Sequence, residues 1–144
     1  MSLWRSKSSK VAMLEKVPLF KGLSRRQLDL IARLADELEV PAGERLAKAG
    51  ATGHELFIIV DGQASVTTRN GRKVRLGPGE FFGEMSLLDG GPRSATVEAA
   101  TPMRLLVLGH REFWSLLNTT PPLTGKIMRA LSQRVRDAEA AVTA

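Results

Sequence analysis

Between Pro41 and Leu108, short apolar segments alternate with glycine-bearing turns, and the helix-length crossovers that parallel strands require are missing. That pattern confines the middle of the chain to antiparallel β-structure. Leu56-Phe57-Ile58-Ile59-Val60 reads as a strand ending at Asp61-Gly62, and Ala64 to Thr68 reads as a second. Asn70-Gly71 is a hairpin signal because both residues tolerate positive φ, and Lys73 to Leu76 returns from it. Gly77-Pro78-Gly79 marks another turn. Ser94 to Ala99 and Met103 to Leu108 are two further strands, parted by Thr101-Pro102. Many short strands with glycine turns suggest a sandwich or a barrel.

Both ends read as helical. Ser24 stands three residues before Gln27, a capping-box pattern, and Leu28, Ile31, Leu34, Ala35 and Leu38 follow at helical spacing. The expected helix covers 24–36. A shorter one begins around Val11 to Leu14, interrupted by Pro18. After the strands, His110 to Leu117 places Phe113, Trp114 and Leu117 on one side, and Pro121-Pro122 is expected to break that helix. Leu123, Ile127, Leu131 and Val135 then recur at four-residue spacing, giving the longest candidate, 123–140. Trp114 reads as core packing.

The chain has 144 residues, enough for one compact domain, expected over 11–144 behind a flexible basic segment at 1–10. It has no cysteine, so disulfides and thiolate metal sites are excluded, and its two histidines, His54 and His110, suggest no metal cluster. No apolar run approaches a membrane span, and a cytoplasmic protein is expected. The net charge of +6 collects at the two ends without an accompanying readout element, so nucleic-acid binding is not expected.

The chemistry concentrates between Phe81 and Val97. An anionic sugar phosphate needs backbone N–H groups, a hydroxyl and a cation. Gly83 allows close backbone approach, Ser86 to Leu88 can form a helical turn, Arg93 offers a fork of donors, and Ser94 a hydroxyl with its own N–H. Glu84 is the diagnostic member: a carboxylate near a phosphate needs another task, and accepting from a ribose hydroxyl is one. From the residues alone, a simpler arrangement stays open, in which Glu84 and Arg93 pair across a loop of ordinary turn glycines. A P-loop is excluded, since no glycine-lysine-serine or glycine-lysine-threonine follows the glycines.

The run FGEMSLLDGGPRSATVEA closely resembles the phosphate-binding cassette of the cyclic nucleotide-binding domain family, which includes catabolite-activator-type regulators, kinase regulatory subunits and gated channels. VPAGERLAKAGATGHELFIIVDGQASV resembles that family's first strands. The resemblance implies a mostly β fold with flanking α: an eight-stranded jelly-roll β-barrel with N-terminal helices and C-terminal lid helices. It implies Gly83 and Glu84 at the ribose, and Arg93, Ser94 and the Ala95 N–H at the phosphate. Phe82, Val74 and Met85 would join the ligand pocket, with Arg134, Val135 and Ala138 as lid candidates. No aromatic follows Trp114, so a base cap would be aliphatic or arginine.

The expected function is non-enzymatic sensing of cyclic AMP, without cofactor or metal, relayed through the C-terminal helix to a homodimer or an effector protein. Serine at 94 favours adenine over guanine in this family's pattern. Three alternatives remain: a cyclic GMP sensor, an interaction module that has lost its ligand, or a hydrolase, the last disfavoured because Ser94 has no evident activating base. No helix-turn-helix follows the lid helix, so DNA binding is not expected of this chain alone.

Overall fold

The computed structural model describes the backbone of residues 7–143 and the side chains of 10–137. Helices α1 (Lys7–Leu14) and α2 (Arg25–Leu34) precede eight strands: β1 (Asp36–Val40), β2 (Arg45–Ala47), β3 (Glu55–Asp61), β4 (Ala64–Thr68), β5 (Lys73–Leu76), β6 (Phe81–Phe82), β7 (Ala95–Ala99) and β8 (Met103–Gly109). Helix α3 (Glu84–Asp89) lies between β6 and β7, and α4 (His110–Thr119) and α5 (Pro121–Thr143) follow β8. A 3₁₀ turn, Pro18–Phe20, joins α1 to α2.

The expected barrel is corrected. The strands divide into two antiparallel four-stranded sheets, β1-β8-β3-β6 and β2-β7-β4-β5, and neither closes on itself. The end strands β2 and β6 have three and two residues, too short a ladder to stitch one sheet to the other. Side chains join the sheets instead. Phe57, Ile59, Phe82 and Leu105 from the first meet Ala47, Ala64, Val97 and Ala99 from the second.

The central strands of the first sheet, β3 and β8, are buried on both faces. Leu56, Ile58, Leu106 and Leu108 point the other way, into a second core with Leu14, Phe20, Ile31, Phe113, Leu116, Leu123 and Ile127 of the helical elements. The register pairs like with like: Ile58 faces Leu106 on the helix side, and Ile59 faces Leu105 on the sheet side. That double burial explains why β3 reads as a continuous apolar run.

Three local departures have physical causes. Helix α1 starts at Lys7, before the expected Val11, while residues 1–6 of the expected flexible segment lie outside the described residues. Helix α2 carries the expected capping box at Ser24 and Gln27 but ends at Leu34, where Lys10 Nζ donates to the carbonyls of Ala32 and Ala35 at 3.1 and 2.8 Å. The expected break at Pro121-Pro122 is the first turn of α5, where a proline's missing N–H costs nothing. Among the described residues, no helix is long and apolar enough to cross a membrane.

Candidate functional site

The β6–α3–β7 segment builds a pocket against the inner face of the second sheet. Gly83 closes β6 and caps α3 with φ 95°. A β-carbon there would lie 2.6 Å from both Arg93 Nη1 and the Glu55 carbonyl, so only glycine fits beside the arginine. Glu84 follows as the first residue of α3 and is 3% exposed; Arg93, 5% exposed, approaches from the far end of the same segment.

The two charges do not pair with each other, which removes the simpler arrangement left open by the sequence. Arg93 Nη1 donates to the Gly83 carbonyl and Nη2 to the Glu55 carbonyl, each at 3.0 Å, and the Glu55 carboxylate lies 3.6 Å away. Its main chain is pinned as well: Arg93 N donates to Ala51 O, and Gly50 N donates to Arg93 O. Gly53 passes flat beneath the side chain, and a β-carbon there would meet Arg93 Nε at 1.9 Å. Burial pushes the guanidinium down from its ordinary value, while the Glu55 and Glu84 carboxylates pull it back up. Its uncommitted N–H donors are therefore well placed to gain from an anion in the pocket.

Glu84 is held by the last helix. Arg134 of α5 donates from Nη1 to Glu84 Oε1 and from Nη2 to the Phe81 carbonyl, with its guanidinium carbon 4.5 Å from the centre of the Phe81 ring. A carboxylate this buried needs a cationic or donor partner, and α5 supplies one from 50 residues away. The cassette helix is tied to α4 too, because Trp114 Nε1 donates to the Leu87 carbonyl at 3.2 Å.

Together these elements enclose a cavity of about 410 Å³. Of the sequence candidates, Phe82, Gly83, Glu84, Met85, Arg93, Ser94 and Ala95 line it, as do Val74 and Arg134. Phe82 is buried and stacked on Phe57 at 4.8 Å between centroids. Val135 is not part of it and lies 56% exposed on α5, and the Ala138 side chain falls outside the described residues.

Sequence reasoning did not single out Gly53 and Glu55, which seat Arg93, or Thr68, Arg72, Arg75 and Asp137, which also line the cavity. Arg72 was within reach: the Asn70-Gly71 turn fixes the hairpin register, and Arg72 lies on the same face of the returning chain as Val74. Neither Arg72 nor Arg75 has a carboxylate partner among the described residues. Exposed cations at a cavity mouth attract anions over several ångströms. Replacing both with alanine is expected to slow, about tenfold at low salt, association of the anionic sugar phosphate that the cassette resemblance implies, with little change in dissociation. Stopped-flow binding across a salt series checks this, and equal association rates at low salt would refute it.

The sequence and the fold have relatives among known proteins. A cyclic nucleotide-gated potassium channel from Mesorhizobium japonicum is 43% identical over 86% of this chain and 34% of its own length. A cAMP-dependent protein kinase regulatory subunit from Mycosarcoma maydis is 36% identical over 99% of this chain and 29% of its own. The crystal structure of the Thermus thermophilus catabolite activator protein superposes with a TM-score of 0.78 at 32% identity, over 88% of this chain and 62% of that one. The chain thus spans about a third of the length of the first two curated relatives it matches. The cyclic nucleotide-binding domain pattern matches residues 37–120, from β1 through α4 and across the whole glycine-rich cassette, with α5 and Arg134 beyond it. With the pattern, the relatives and the architecture in agreement, the chain belongs to the cyclic nucleotide-binding domain family.

Proposed function

We propose that this chain is a non-enzymatic sensor of 3',5'-cyclic AMP. The observation that carries the reading is that the two buried charges have different partners: Arg93 is seated by two carbonyls with N–H donors to spare for a phosphate, while Glu84, bonded to Arg134 through one oxygen, keeps an acceptor in the same cavity. In this reading Arg93, the Ser94 hydroxyl and the Ala95 N–H take the cyclic phosphate. Gly83 and Glu84 take the ribose edge. Phe82 and Val74 face the base, and Met85 stands at the rim. The names of relatives support the choice of nucleotide, among them the Thermus thermophilus cyclic AMP receptor protein, 34% identical over 85% of this chain.

Signal transmission follows from Arg134. The ribose 2'-hydroxyl and the Arg134 guanidinium both seek Glu84, so ligand entry redistributes the bonds that fasten α5 to the cassette. That shifts the population of helix positions. The output reaches a second copy or an effector protein through α5, where Met128 and Val135 are exposed.

Calorimetric titration with cyclic AMP and cyclic GMP tests the proposal. Cyclic AMP is expected to bind more tightly, with a rise in thermal stability at saturation of about 2.7 kcal/mol at a hundred times Kd. If neither nucleotide binds below about 100 μM, the sensor reading fails. If cyclic GMP binds more tightly, the base assignment fails alone. A second titration isolates Glu84. The 2'-deoxy analogue of cyclic AMP should bind about tenfold or more weakly, as expected for losing a hydrogen bond to a charged group. In the Glu84→Ala protein the two ligands should bind alike. A full preference for the 2'-hydroxyl in that variant would assign the ribose to another group.

A further inference from the structure

Arg134, Glu80 and Asp137 form a wall with a cavity on each side. The second, about 550 Å³, lies between the Pro18–Phe20 turn, the Gly79–Phe81 segment and α5. Its floor is apolar, with Leu19 and Phe81 buried and Ala130 partly so. Around that floor stand Lys21, Lys126 and Arg129. None of the three makes an ion pair among the described residues. They come from two different elements that border the same cleft, with the Arg129 guanidinium beside Gly125 on α5. Lys126 Nζ sits 3.6 Å from where a β-carbon of Gly22 would be, so this ammonium leans over the turn that carries Lys21.

Two acids of the cleft, Glu80 and Asp137, stand on the shared wall, each with one oxygen bonded to a neutral donor, and the four cations outnumber them by two. Glu80 accepts from Gly77 N at 2.7 Å, and Asp137 accepts from Gln133 Nε2 at 2.9 Å. The fourth cation, Arg134, is committed to Glu84 and the Phe81 carbonyl. Like charges gathered over an apolar floor repel, and an anion among them relieves the repulsion while gaining charge-assisted hydrogen bonds.

The geometry points to a second ligand site behind α5, for a small phosphate-bearing molecule with two or more negative charges. A second cyclic nucleotide fits it poorly, because that ligand has a single charge while the cations around the cleft outnumber its acids by two. The site is separate from the nucleotide cavity and does not depend on its assignment.

Inorganic pyrophosphate is the probe, titrated by calorimetry at an ionic strength held constant with potassium chloride. It is given to two samples, the wild-type chain with excess cyclic AMP and the Arg93→Ala chain, whose nucleotide cavity lacks its phosphate ligand. The second sample keeps the test valid should cyclic AMP fail to bind. One saturable site at about 1 mM or tighter is expected in both. Lys126→Gln/Arg129→Gln should weaken it about tenfold or more, and Lys21→Gln, on another element, by a smaller factor in the same direction. These exposed or half-exposed positions should leave the circular dichroism melting curve unchanged. Three results would overturn the inference: no saturable binding at constant ionic strength, binding that vanishes in Arg93→Ala, or binding that ignores all three substitutions.

Discussion

Arg93→Ala is expected to lower affinity for cyclic AMP by at least about thirtyfold, out of a cost of roughly 2–5 kcal/mol for truncating one partner of a buried charge-assisted contact. The residue is 5% exposed and its guanidinium is directed by two carbonyls, so no neighbouring cation can take its place without moving. The fold should survive. The bonds of the Arg93 main chain to Ala51 and Gly50 remain, and the two carbonyls left behind face the space the guanidinium vacates, which opens on the cavity beside Gly83 and which water can enter. Arg93→Lys should recover only part of the loss, because an ammonium carries the charge without the planar fork. Calorimetry and a melting curve on the same samples separate the two effects. An affinity equal to wild type would remove Arg93 from the site.

Gly53→Ala should be nearly as damaging to binding, at a residue that touches no ligand. The new methyl group would stand 1.9 Å from Arg93 Nε and 2.3 Å from Cζ, so the guanidinium must leave its seat. Gly53 is not among the residues with positive φ, so alanine brings no backbone strain there. What yields is the far end of a flexible side chain, and stability should change by less than about 1 kcal/mol. Affinity for cyclic AMP should fall about tenfold or more. The double variant Gly53→Ala/Arg93→Ala should bind no worse than Arg93→Ala alone, because the methyl group then has nothing left to displace. Additive losses would mean that Gly53 acts by another route.

These two residues mark the limit of what the sequence displays. Arg93 lies inside a recognisable run, so its residue type and spacing announce it. Gly53 matters through an arginine 40 positions away, and no local pattern encodes that contact. The strands divide along the same line. The β4–β5 hairpin is legible because Asn70-Gly71 dictates its turn, and β3 because burial on two faces demands an unbroken apolar run. Strand β1 was hidden: Leu38 continues the helical spacing of Leu28, Ile31 and Leu34, and the signal that stops α2 comes from Lys10, on another helix. The barrel was an inheritance from resemblance, and ladder length decides it; two- and three-residue end strands cannot close a sheet. In the site, Glu84 was legible as a charge in search of a task and Arg134 as a lid candidate, but the bond between them was visible only once the chain had folded.

The indole bond of Trp114 gives the chain an internal optical gauge. Its N–H leans on the Leu87 carbonyl in the cassette helix, and its ring meets Phe113 edge-on at 5.9 Å between centroids. The chain has two tryptophans, and Trp4 lies outside the described residues. In a Trp4→Phe background, any movement of the cassette that loosens the indole bond should change the intensity or wavelength of Trp114 emission, so cyclic AMP occupancy could be followed without a label. A spectrum unmoved at saturation would mean that the cassette and α4 travel as one body, leaving α5 as the element that moves.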